Sequence, residues 1–131
     1  MNPSEILEKA YKLIYLVDVP DSVPEEEIIL ADDWKKYMRE IIYGIAFMAI
    51  KSKAYTTIQD TLILGSLKLL YNLDHNRPEE DIIKSFVKLV HMYVSYSLRN
   101  RIDLIYNKDK WNNIYTALNE FDILIKQWDL S

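Results

Sequence analysis

Apolar residues along this chain recur mostly at intervals of three and four, the period of one face of an α-helix. Ile6, Leu7, Ala10, Tyr11, Leu13, Ile14 and Val17 form the first such stripe. Asn2-Pro3-Ser4-Glu5 reads as its start: asparagine caps, proline fits the first helical position, and Glu5 completes a capping-box pattern. The stretch Asp18-Val19-Pro20-Asp21-Ser22-Val23-Pro24 ends it, because prolines this close together do not continue a helix. Glu25-Glu26-Glu27 predicts a new helix start, since acids suit the positive end of the helix dipole, with Asp32 or Asp33 as a restart. A long helix from Asp33 to about Lys53 is expected to bury Trp34, Met38, Ile41, Ile42, Ile45 and Ala46, with Phe47 and Met48 widening the stripe. Gly44 lies inside it, where a close approach by another helix is expected.

Thr56-Thr57 caps a third predicted helix. It carries Ile58, Leu62, Ile63, Leu64, Leu67, Leu69, Leu70 and Leu73, is apolar nearly all round, and is therefore expected to be central. Asp74-His75-Asn76-Arg77-Pro78 is a turn, and Glu79-Glu80 opens a fourth helix running through Ile82, Phe86, Val90 and Val94 to Leu98. Asn107-Lys108-Asp109 interrupts the pattern, and Trp111 to Trp128 forms the last amphipathic helix. No strand pattern and no repeat is visible. Long helices on short connections predict an all-α fold, an antiparallel bundle of four to five helices, in a single domain over residues 1–131.

Composition sharpens this in a few places. With no cysteine, disulfides, cysteine-zinc sites and cysteine nucleophiles are excluded. The absence fits a cytoplasmic setting, as does a start without a basic or long apolar leader pattern. The most apolar run, Ile41 to Ile50, is half the roughly 20 residues that a membrane span needs. Scarce glutamine beside abundant Ile, Tyr and Lys is a thermophile-like bias. A net charge of −4 opposes tight, whole-surface binding to nucleic acid. The charge is uneven, though. Residues 1–35 carry nine acids against three lysines, while residues 84–110 carry six bases (Lys84, Lys88, Arg99, Arg101, Lys108, Lys110) against Asp103 and Asp109. Those six bases are the candidate nucleic-acid contacts.

The end of the fourth helix carries the candidate chemistry. Leu98-Arg99-Asn100-Arg101-Ile102-Asp103-Leu104-Ile105-Tyr106 places an Arg-Asn pair after a long apolar pattern and a tyrosine seven residues after Arg99. This stretch resembles the nuclease motif of HEPN domains in the HepT-like branch, and the likeness runs from about Ser97 to Asp122. Arg99 matches the family's arginine, Asn100 its polar neighbour and Tyr106 its tyrosine, but the family's histidine position is Leu104. The resemblance implies a helical bundle that dimerises, with catalytic candidates Arg99 and Asn100 facing RNA. It also implies Tyr106 as a site that a partner nucleotidyltransferase adenylylates. A leucine moves no proton, so metal-independent ribonuclease activity is expected to be lost or weakened, general acid–base catalysis being worth about 10²–10⁴-fold. The chain then reads as a degenerate HEPN-like protein, RNA-linked or toxin–antitoxin-linked, and more a binding module than an enzyme.

The plainer reading of Arg99, Asn100 and Arg101 is a helix end, where cations and an asparagine suit the carbonyl terminus. His75 is expected in a turn, and His91 as a hydrogen-bonded histidine at the core's edge. No His/Asp/Glu set has metal-ligand spacing and two glycines make no phosphate loop, so no metal or cofactor is expected. Tyr93, Tyr96 and Tyr106 near the arginines either stack bases or line a core rim or interface. The alternative function is a noncatalytic helical adaptor, such as a small subunit of an archaeal or viral nucleoprotein assembly.

Overall fold

A computed structural model describes residues 2–20, 22, 24–52, 57–99 and 101–130. The elements in order are α1 (Pro3–Asp18), a short 3-10 turn (Ala31–Asp33), α2 (Trp34–Lys51), α3 (Thr57–Asp74), α4 (Glu79–Arg99), the single turn α5 (Ile102–Ile105) and α6 (Lys108–Gln127). The fold is all-α, with no strand among the described residues. Both ends of the chain's helical stretch are capped as their sequences dictate. Asn2 Oδ1 accepts from the Ser4 amide at 3.2 Å with Pro3 in the first turn, and Asn107 Oδ1 accepts from the Lys110 amide at 3.1 Å. The second cap starts α6 at Lys108, three residues before the expected Trp111, and puts Asp109 in its first turn.

α2, α3, α4 and α6 alternate in direction, as short connections require. α1 and α4 point the same way, because Tyr93 near the end of α4 bonds Asp18 at the end of α1. The connection after α1 returns along that helix: the Ile29 amide donates to Glu8 Oε1 at 3.0 Å, roughly 15 Å of helix back from Asp18. That return explains a failed expectation. Glu25-Glu26-Glu27 begins no helix, since residues 24–30 run as an irregular strap whose Ile29 is buried while Ile28 and Leu30 are exposed. The Ile29 amide is spent on the Glu8 carboxylate of α1 and not on a carbonyl of its own segment, so a long-range tie replaces a helix's local ladder here.

The core lies between α1, α4 and α6, closed on one side by the α2–α3 hairpin. Ile6, Leu7, Leu13, Ile83, Phe86, Val90 and Phe121 are fully buried there. Each such side chain contributes about 1.5–3 kcal/mol through burial. α3 is not central. It packs chiefly on α2 and α4, burying Gln59, Leu62, Ser66, Leu69 and Leu73, while Leu64, Leu67 and Tyr71 face outward. On α2, Tyr43, Phe47 and Ile50 are likewise exposed. Apolar content all round α3 reflects an uncovered outer face of the hairpin. The close helix approach expected at Gly44 is not found, and even on Gly65 a Cβ would make only ordinary contact, 3.5 Å from Leu89 Cδ1 of α4. A Cβ on Gly44 would meet nothing within 4 Å. Thr56 and Lys53, read as helix boundaries, lie outside the described residues. No helix is long and apolar enough to cross a membrane among the described residues.

Candidate functional site

The last turns of α4 sort their side chains by helical period. Tyr93 and Tyr96 point inward and Arg99 outward. The two tyrosines are core-rim residues, since burying a phenol requires a partner for its hydroxyl. Tyr93 donates to Asp18 Oδ1 at 2.7 Å, and Tyr96 donates to Ser52 Oγ at the end of α2. Neither is open to stack a base. Of the three tyrosines near the arginines only Tyr106 is, at 85% exposure, in the turn between α5 and α6.

Arg99 is exposed, and its side chain makes no hydrogen bond or ion pair to another described residue. Asn100, its expected partner, lies outside the described residues. Arg101 is structural in character. Its guanidinium forks onto Asp103, with Nε and Nη2 each 3.0 Å from a carboxylate oxygen, and its Nη1 donates to the Val17 carbonyl at 3.2 Å. It thereby satisfies one of the orphan carbonyls that end α1. The hydrogen bonds from Arg101 hold the Asp103 carboxyl below the usual range.

Leu104 is fully buried. α5 is held to its neighbours by backbone bonds from the Leu104 amide to the Arg101 carbonyl and from the Asn107 amide to the Leu104 carbonyl. This one turn fixes the segment so that Leu104 faces the core while Ile102, Ile105 and Tyr106 face solvent. The position at which the resembled family carries its histidine is therefore an inward, dry one here.

The six candidate bases do not form one patch. Arg99, Arg101, Lys108 and Lys110 belong to the tip made by the end of α4, α5 and the start of α6. Lys84 and Lys88 sit in the first half of α4. Lys84 lies fifteen residues before Arg99, roughly 22 Å along the helix at 1.5 Å per residue. Lys84 is also paired with Glu80 at 3.1 Å.

Neither histidine belongs to the tip. His91 Nε2 lies 2.7 Å from Asp122 Oδ1 of α6, edge-on to Phe121, and precedes Arg99 by roughly 12 Å of helix. This is the hydrogen-bonded, half-exposed placement its sequence position suggests. His75 stacks on Tyr71 at 3.8 Å in the turn after α3, its Nδ1 2.8 Å from the Tyr71 carbonyl. No His/Asp/Glu group suited to a metal is found among the described residues.

Asp18 gave no signal in the sequence, where it reads only as the start of a helix break. Burial pushes its carboxyl above the usual range, against the hydrogen bond from Tyr93 and the nearby Arg101 charge, which both lower it. Burial, followed by the Asp18 charge, pushes the Tyr93 phenol well above its ordinary value. Asp18, Tyr93 and Arg101 thus tie the ends of α1 and α4 together just beneath the exposed tip. The tip can hold an anion through Arg99 and Lys108, but no histidine stands beside them to move a proton. Comparison with protein-family models, characterised proteins and solved structures yields no match.

Proposed function

We propose that this chain is a noncatalytic, HEPN-like helical module that binds RNA phosphates at the tip formed by α4, α5 and α6. One observation carries the reading: Leu104 is buried between an exposed Arg99 and an exposed Tyr106. A phosphate-binding arginine is retained at the surface, while the position that would supply proton transfer is committed to the core. The absence of cysteine suits work in a reducing compartment such as the cytoplasm. Fluorescence anisotropy with a short single-stranded RNA at low salt tests it. Arg99→Ala is expected to weaken binding several-fold and to lower the salt slope by about one, as loss of one phosphate contact does. Arg101→Ala is expected to act mainly on stability. Equal loss from both substitutions would favour the adaptor reading instead, and no loss from Arg99→Ala would overturn the proposal.

The exposure of Tyr106 supports a second reading, that a nucleotidyltransferase partner adenylylates its hydroxyl. Incubation with such an enzyme and ATP would then add one adenylate, absent from Tyr106→Phe. An unmodified Tyr106 counts against that branch.

We further infer that the module is a homodimer built on the outer face of the α2–α3 hairpin. Tyr43, Phe47 and Ile50 on α2, and Leu64, Leu67 and Tyr71 on α3, follow the alternating three- and four-residue spacing of helix-to-helix seams. Charge favours one arrangement. If α2 faces the other copy's α3 about a two-fold axis along the bundle, exposed Lys51 meets Asp60, and Lys36 approaches Asp74 beside the Arg39 that already pairs with it at 2.7 Å. That axis also brings both Arg99 tips to the same end.

A further inference from the structure

A groove of about 410 Å³ opens between α1 and α2, from Asp18 and Tyr93 beneath the tip to Phe47 at the edge of the hairpin's outer face. Gly44 lines it, and a side chain there would extend into open space. Its walls are apolar, with Ile14, Ile41, Ile45 and Met48 among them. Two features set it apart from an ordinary seam. Tyr11, Tyr15 and Tyr37 line it beside the almost fully buried Tyr93, and so do three carboxylates, Asp18, Glu27 and Glu40, with no lysine or arginine. The nearest cation acting on Asp18 is Arg101, whose guanidinium is already engaged by Asp103 and the Val17 carbonyl.

We propose that this groove binds an organic cation: a monovalent ammonium or related ion carried on an apolar or aromatic body. Aromatic faces attract cations through their quadrupoles, and more strongly once water is removed. An apolar site of this size suits a ligand of a few rings, and a few convergent polar groups orient it. The carboxylates supply a field that no wall residue neutralises, and that field is felt inside the groove. The Tyr11 phenol is pushed above its ordinary value first by burial and next by Glu27. A bound cation would give the half-buried Asp18 carboxylate the counter-charge that Arg101 supplies only in part.

Tetraphenylphosphonium and tetraphenylborate have nearly the same size and shape and opposite charge, so calorimetric titration of each in sodium buffer separates charge from greasiness. The phosphonium ion is expected to bind one per chain, roughly tenfold or more tighter than the borate. Gly44→Leu, which projects a side chain into the groove, should abolish that binding, whereas Gly44→Ala should retain it. Circular dichroism of both variants checks that the fold is kept. Asp18→Asn should weaken the phosphonium ion several-fold and leave the borate unchanged or improved. Equal affinity for the two ions, no binding of the phosphonium ion, or undiminished binding by folded Gly44→Leu would each overturn the proposal. None of these outcomes depends on RNA binding at the tip.

Discussion

The Tyr93 hydroxyl donates a 2.7 Å hydrogen bond to Asp18 Oδ1, joining two helices across 75 positions of sequence. The acceptor is half-buried at the end of α1 and the donor is 2% exposed on α4. The bond fixes the relative rise of α1 and α4, and with it the height at which Arg101 can reach the Val17 carbonyl. Tyr93→Phe removes the donor and leaves the carboxylate short of a partner. It is expected to cost about 1.5–3 kcal/mol, the range for hydrogen bonds to charged groups. Chemical denaturation measures it, and an unchanged midpoint would mean that water replaces the hydroxyl without loss.

Asp18 also sets a pH dependence. Its carboxyl is raised in the fold, so the folded state holds the proton more tightly than the unfolded chain does. The stability it contributes is fully present below the ordinary carboxylate range and is lost as pH rises through the folded value. The groups facing it are Tyr93 and Arg101, with Glu27 and Glu40 on the same groove. Asp18→Asn, which can still accept from Tyr93, is therefore expected to match or exceed the wild type in stability at neutral pH. That gain should shrink towards zero below the ordinary carboxylate range. Thermal melts across pH check the sign, and a variant less stable at neutral pH than in acid, relative to wild type, refutes it.

Leu104→His restores the residue type of the resembled family at this position. Because Leu104 is fully buried, the imidazole would enter the core rather than the tip. The expected result is a loss of roughly 2–4 kcal/mol from cavity and polar-burial costs, with no gain in RNA cleavage. A stable variant that cuts RNA would show that α5 can turn this position outward.

Leu67 is 57% exposed on the outer face of the α2–α3 hairpin. Leu67→Glu is expected to shift a dimer towards monomer, read by sedimentation equilibrium. It should change the stability of the isolated chain by no more than about 0.5 kcal/mol, as surface substitutions do. A monomeric wild type, or a dimer indifferent to this change, removes the homodimer proposal.

Much of the fold was legible because helical period and capping are local. Asn2 with Pro3, the acids opening α4 and the burial of Phe86, Val90 and Phe121 all follow from residues a few positions apart. Glu25-Glu26-Glu27 misled for an equally clear reason. A local preference for a helix start was overridden by long-range contact, the burial of Ile29 and the bond from its amide to Glu8 of α1. Apolar content around α3 likewise marks surface area to be covered, but does not say whether the covering belongs to the same chain.

The sequence by itself determined the five long helices to within a few residues, the cap at Asn2, the all-α class and the absence of cysteine chemistry, since these depend on composition and spacing alone. Only the tertiary structure decided which side of each helix faces what. It turned Leu104 inward and Arg99 and Tyr106 outward, split Lys84 and Lys88 from the tip, and placed Asp18 under Tyr93. It also left Gly44 open to a groove walled by tyrosines and carboxylates from α1, the strap and α2. The physical reason is that a helix's period fixes which residues share a face. The neighbour each face meets is set by long-range packing, which no short stretch of sequence encodes.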